Sequence, residues 1–294
     1  DNQLRYKYYG NGGLNKAFLG IGYQLSANIA IGLDAKYNFG NIQNSAIEYL
    51  YDDESLPLDY QSRQQNRSDL SGVNFNFGLI YNAKIYENLE LHASISYSPN
   101  YDLSSKNSRK YASVVINPNT QIDFPINEII IDLESLGLDK TELSMPSISR
   151  FGIGIGKSRK WFFGGEYTFI TSSVFSNELI NIENSKFEDS SKISFGGFYI
   201  PDYASFDKFF NRVVYRAGLY SEKTGLVINN ESINEFGISF GLGIPAGGLF
   251  SNMNTSLEFG KRGTTNQNLV EENFINFQLS LSLNDRWFIK RKYN

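Results

Sequence analysis

The chain has 294 residues, of which 41% are hydrophobic and 15% aromatic, and it has no cysteine, which rules out disulfides, thiol nucleophiles and thiolate metal sites. Lys and Arg number 27 against 31 Asp and Glu, so a net charge of -4 leaves no basic footprint for nucleic acid. No run approaches the roughly 18 apolar residues of a membrane-crossing helix, and one continuous pattern favours a single domain over residues 1–294.

The sequence opens at Asp1 with neither an initiator Met nor a signal peptide, which reads as a processed or truncated start. From there about a dozen strands are predicted, near Gln3–Tyr9, Leu14–Leu25, Asn28–Leu50, Ser68–Lys84, Asn88–Ile116 and Ser147–Lys157 in the first half. The second half adds Lys160–Ser172, Ser190–Ile200, Arg212–Ile228, Ile233–Ile244, Asn252–Arg262 and Leu269–Leu283. Each alternates apolar with small, polar or charged residues. Val73, Phe75, Phe77, Leu79 and Tyr81 alternate with Asn74, Asn76, Gly78 and Ile80; Phe236, Ile238, Phe240, Leu242 and Ile244 alternate with Gly237, Ser239, Gly241 and Gly243.

A soluble sandwich and a transmembrane barrel both use such strands. A sandwich turns Lys, Glu and Thr outward, whereas the polar face here is largely Gly, Ser and Asn, which suits a crowded or water-filled lumen. The mean hydropathy of -0.33 does not oppose this, because every second barrel residue faces the lumen. Tyr23, Tyr37, Tyr81, Tyr97, Tyr167, Tyr199 and Trp287 fall near strand ends, as interfacial aromatic girdles would place them. The fold class expected is all-β, a transmembrane antiparallel up-and-down β-barrel in the outer membrane of a Gram-negative bacterium.

The connections alternate in length. Ser26 to Asn28, Tyr86 to Asn88, Ser158-Arg159 and Pro245 to Ser251 are short; Tyr51 to Arg67, Asn117 to Pro146 and Ser173 to Asp189 are long and polar. Short periplasmic turns and long external loops are the barrel arrangement, and they put the end of the last strand, next to Arg286, Lys290, Arg291 and Lys292, on the periplasmic side. Pro201–Asn211 breaks the rule: Phe206, Phe209 and Phe210 at helical spacing predict a short interfacial helix packing its aromatics on the barrel rim, with a partner-docking helix as the alternative. The apolar stretch Asn127–Glu142 reads as a hairpin extension rather than a lid.

Candidate chemistry is sparse. His92, the only histidine, shares the polar parity with Glu90, which fits a hydrogen-bonded lumen residue and not an outward-facing hydrolase triad. One histidine without cysteine makes no zinc site, and Tyr51-Asp52-Asp53-Glu54 lacks the spacing of a calcium loop. The glycines of Phe151–Gly156 precede no helix, so they are lumen-crowding relief and not a phosphate loop. No catalytic residue, metal or cofactor is implied. The inward parity collects Asp34, Lys36, Glu90, His92, Glu166, Arg216 and Glu258 as lumen-lining candidates, a mixed set expected to pair within the lumen.

Five segments carry a family resemblance: Gly12-Gly13-Leu14-Asn15-Lys16, Leu70–Phe75, Tyr215–Tyr220, Gly260–Thr265 and Leu283–Tyr293, with Met145-Pro146-Ser147 before a strand. They resemble a FadL-like group of bacterial outer-membrane proteins of hydrophobic-compound transporter type, over the group's C-terminal two-thirds. The resemblance implies a 14-stranded barrel with an N-terminal plug, the first strands and plug lying outside this sequence, and it transfers no functional residue. The function it implies is binding or passing a hydrophobic small molecule across the outer membrane. The alternative is a non-catalytic accessory barrel of a multiprotein secretion or biogenesis assembly. Expected partners are outer-membrane lipid, a hydrophobic ligand and other proteins of a membrane complex, but not nucleic acid.

Overall fold

The computed structural model describes residues 5–117, 119–120, 122–177, 184–245 and 250–283. It contains β1 (Tyr6–Gln24), β2 (Ile29–Glu48), β3 (Gln61–Tyr86), β4 (Leu89–Ser98), β5 (Tyr101–Ile116), β6 (Asp123–Ile130), β7 (Lys140–Met145) and β8 (Ile148–Lys157). There follow β9 (Trp161–Ile170), β10 (Ser176–Asn177), β11 (Ser185–Phe187), β12 (Ser190–Tyr199), β13 (Val214–Ile228), β14 (Glu231–Pro245), β15 (Phe250–Gly263) and β16 (Glu271–Leu283). All sixteen belong to one antiparallel, barrel-type sheet; most neighbours are successive in the chain, whereas β3 also pairs with β5, β4 with β8, β5 with β7, β7 with β10, β9 with β12 and β11 with β13. Among the described residues β1 and β16 are the outermost strands of the pairing.

The strands are long because their hydrophobic alternation runs without a breaker, and the tight connections are written in turn residues. At the β1–β2 turn the Ser26 hydroxyl accepts from the amides of Asn28 and Ile29, at 3.3 and 3.2 Å. Arg159 closes β8–β9 with φ 58°, and Asn229-Asn230 closes β13–β14 with φ of 51° and 64°, the paired left-handed residues of a two-residue hairpin. That last turn lies at the long-loop end, so loop length alone does not assign the ends everywhere.

Three expectations about the strands change. The two predicted strands at Gln3–Tyr9 and Leu14–Leu25 are one, β1, because Gly12 carries the ladder through with φ 104°. The predicted strand Asn88–Ile116 is two, β4 and β5, broken at Pro99-Asn100, where proline cannot donate to the ladder. The neighbouring chain breaks at the same level, at Pro146-Ser147 between β7 and β8, so that Ser98 pairs with Ile148 below the break and Tyr101 with Met145 above it. Parts of the supposed long loops are also strand: β3 begins at Gln61, β7, β10 and β11 extend the sheet outward, and β6 lies against β5 as a hairpin extension.

The double break switches parity. Below it the even residues His92, Ser94, Ser96 and Ser98 share a face with Asn76 and Gly78 of β3; above it the odd residues Leu103, Ser105 and Asn107 take that face, beside Leu70 and Leu143. Leu70, Leu103 and Leu143 are buried, with Leu14, Ile42, Tyr101, Met145 and Phe175 packed against them. Beside them the Asn107 amide donates to Thr141 Oγ1 at 2.8 Å and to the Leu138 carbonyl at 3.0 Å, while its Oδ1 accepts from Ser68 and Ser105. The buried Ser68, Ser105, Asn107 and Thr141 side chains are therefore satisfied by one another.

The opposite face is an exposed apolar band. Val73, Phe75, Phe77, Leu79 and Tyr81 on β3 and Phe236, Ile238, Phe240 and Leu242 on β14 all point to the surroundings. Such a contiguous band is far larger than a soluble surface carries, and it is the hydrocarbon-facing surface of a barrel.

Candidate functional site

Residues opposite one another in an antiparallel ladder share a face. Following the register from β2 to β16 puts Asp34, Lys36, Glu90, His92, Glu166, Arg216 and Glu258 on one face, together with Asn76, Gly154, Ser194, Ser239 and Asn276. It is the face opposite the apolar band.

The seven do not form one network. Lys36 lies 4.0 Å from Asp34, whose other close partner is the Asn76 amide at 3.5 Å. His92 stands apart from them: Nε2 is 3.7 Å from Glu90, Nδ1 is 2.7 Å from the Asn82 side-chain oxygen, and the ring meets Phe162 edge-on. Glu166 accepts from the Thr168 hydroxyl at 3.3 Å, and Arg216 donates to Asn254 Oδ1 at 2.9 Å. Glu258 belongs to a larger cluster whose other members were missed.

That cluster centres on Tyr220. Its hydroxyl lies 2.6 Å from Glu235 Oε1 and 2.8 Å from Glu258 Oε1, so one phenolic proton is shared between two carboxylates. Arg262 donates to the other Glu235 oxygen at 2.5 Å, Asn276 donates to Glu258 at 3.4 Å, and the Lys192 ammonium sits 3.9 Å from the centre of the Tyr220 ring while pairing with Glu222 at 2.8 Å. The signal was present in the sequence: Tyr220 and Glu222 continue the parity of Arg216, and Arg262 continues that of Glu258.

Two concavities lie on this face. One of about 470 Å³ is lined by Asn82, His92, Glu166 and Ser194, and one of about 530 Å³ by Arg216, Tyr220, Asn254, Glu258 and Gln278. Both offer hydrogen-bonding walls with cations and carboxylates already satisfied by neighbours. Among the described residues no group of three or more His, Asp or Glu is placed to hold a metal ion.

The expected rim-packed helix at Pro201–Asn211 is a correction. Only a single 3-10 turn forms, at Phe209–Arg212, and Phe206 and Phe210 are 99% and 73% exposed instead of lying on the barrel. Asp202, Asn211 and the Ile200 amide tie the loop back by hydrogen bonds, which leaves the aromatics on its outside. The basic end Arg286, Lys290, Arg291 and Lys292, like Trp287, lies outside the described residues.

The sequence matches one family along all of residues 1–294. The chain belongs to the BamG family. No curated protein matches it. Among solved structures, this BamG-family sheet is similar to the CymD monoaromatic hydrocarbon channel, with 14% identity, 89% of this chain and 75% of that chain covered and a TM-score of 0.47. It is similar to the RagAB peptide transporter at 10% identity, covering 88% of this chain and 37% of that one, with a TM-score of 0.37. OccK10 (OpdN) of Pseudomonas aeruginosa matches at 10% identity over 97% and 98% of the two chains, with a TM-score of 0.34. The BamG-family chain is a bacterial outer-membrane β-barrel. The FadL-like resemblance holds as far as that barrel, while the family itself is BamG.

Proposed function

We propose that this BamG-family barrel is a non-catalytic accessory subunit of a multiprotein assembly in the outer membrane. Membership along the whole sequence supports the reading, because the family name points to a subunit of an assembly complex. The inner face supports it. A hydrophobic molecule passing through the barrel would slide along Asp34, Lys36, Glu90, His92, Glu166, Arg216 and Glu258, losing the solvation of those charges without replacing it. Further out the same face closes on the packed side chains of Leu70, Leu103 and Leu143.

That leucine cluster is also what a second reading would use, as the collecting surface of a hydrophobic-ligand channel. The two separate cleanly in one measurement. The protein is taken from native membranes in mild detergent and its intact complex weighed by native mass spectrometry. Stoichiometric protein subunits that stay bound support the assembly reading. A lone barrel that releases a hydrophobic adduct on activation overturns it in favour of transport.

A further inference from the structure

At the short-turn end, the loop between β12 and β13 combines exposed aromatics with unpaired cations. Phe206 and Phe210 stand out almost fully, and Tyr203 and Phe209 are also exposed. Around them lie Lys157, Arg159, Lys160, Lys208 and Arg212, against only Asp202 and Asp207 in the loop. Among the described residues none of these five cations is in an ion pair. Instead Arg159 sits 5.2 Å over the Tyr203 ring and Arg212 5.7 Å over Phe209. Elsewhere among the described residues Arg63, Arg67, Lys110, Lys192, Lys261 and Arg262 meet carboxylates, and cations such as Lys84, Arg150 and Arg216 do not; what sets this loop apart is that its cations gather around exposed aromatic rings.

The same loop adjoins a groove in the apolar band. Its volume is about 990 Å³; Gly197 and Ala217 form a low floor between Phe163, Phe195 and Phe240. Tyr199 and Tyr215 line its lower end, and the Tyr215 hydroxyl donates to the Phe210 carbonyl at 3.2 Å, which fastens the loop to the groove. An acyl chain lying against the band can fill the groove, and its headgroup then lies at the level of the cations.

We infer that this groove and loop form a binding site for an anionic glycerophospholipid of the inner leaflet. The groove takes an acyl chain, Phe206 and Phe210 enter the headgroup layer, and Arg159, Lys160 and Arg212 neutralise the phosphate and the headgroup charge. A lipid is favoured over a protein because the surface runs without interruption into the hydrocarbon-facing band. The inference is independent of the assembly reading.

The test uses the full chain in mild detergent, with phosphatidylglycerol or phosphatidylcholine of identical acyl chains added and retained lipid counted by native mass spectrometry. Wild type is expected to retain phosphatidylglycerol about tenfold better than phosphatidylcholine, given the attraction of each surface cation for anionic lipid. The double substitution Lys160→Gln/Arg212→Gln should abolish that preference, while Ala217→Phe, which fills the groove, should lower retention of both lipids. Heat-modified migration on gels checks that each variant still folds. Equal retention of the two lipids by folded wild type, or a preference unchanged in the folded double variant, overturns the inference.

Discussion

Tyr220 and Gly12 show how much a single position carries. Tyr220 bridges Glu235 and Glu258 on the inner face, so removing its hydroxyl leaves both carboxylates short of a donor. Tyr220→Phe should destabilise the folded barrel by about 1–2 kcal/mol, read from urea unfolding in detergent. In the Tyr220→Phe background, Glu235→Gln should cost measurably less than in wild type, because the two side chains are coupled; additive losses would mean they are not. Gly12 is held by backbone instead. With φ 104°, any Cβ there would stand 2.1 Å from the Asn41 carbonyl oxygen, whereas a Cβ on Gly13 meets nothing within 4 Å. Gly12→Ala should therefore cost about 1–3 kcal/mol, and Gly13→Ala close to none, by the same unfolding measurement. The sequence left Gly10–Gly13 between two predicted strands; in the structure Gly12 lets β1 pass unbroken beside β2.

Among elements, β6 depends on charge. Arg63 reaches Asp123 at 2.6 Å and Glu128 at 3.7 Å, and Lys110 reaches Glu128 at 2.7 Å, tying β6 to β5 and β3 beyond the apolar band. The hydrogen bond from Lys110, its charge and that of Arg63 hold the Glu128 carboxyl below the ordinary glutamate range. A depressed carboxyl stabilises fully above its unfolded value and loses that contribution as pH falls through the folded one. Protection of the Asp123–Ile130 amides, taken relative to the intrinsic exchange rate at each pH, should thus be unchanged from pH 8 to pH 6 and fall below about pH 4, and Glu128→Gln should lower that protection at every pH. Protection insensitive to acid would show that the backbone ladder alone holds β6. The sequence predicted a hairpin extension over Asn127–Glu142; β6 begins earlier, at Asp123, and shares only residues 127–130 with that stretch. The sequence did not show which side chains dock it, since Arg63 and Asp123 are 60 positions apart and meet only once β3 and β6 flank β5.

At the scale of the molecule, the two faces of the sheet meet different solvents, and substitutions should respect that. Phe77 lies in the middle of the apolar band on β3 and its neighbour Asn76 on the inner face. Phe77→Arg should cost about 2–4 kcal/mol when the protein is folded into lipid bilayers, whereas Asn76→Ala should cost under about 1 kcal/mol. Similar losses for both would contradict the assignment of faces.

Period-two alternation is a local property of consecutive residues, and so the sequence by itself determined the all-β class, the face of each uninterrupted strand and the parity of Asp34, His92 and Glu258. The tertiary structure alone decided what depends on register between distant strands. The breaks at Pro99 and Pro146 coincide across two strands and switch parity together, which turns Leu103 and Leu143 inward. Pairing through β12 to β15 gathers Lys192, Tyr220, Glu235, Glu258 and Arg262 from 71 positions of sequence into one cluster. Exposure of Phe206 follows from the hydrogen bonds that fold its loop, not from aromatic spacing. Alternation specifies a face within a strand, but pairing across the sheet specifies neighbours, and chemistry resides in neighbours.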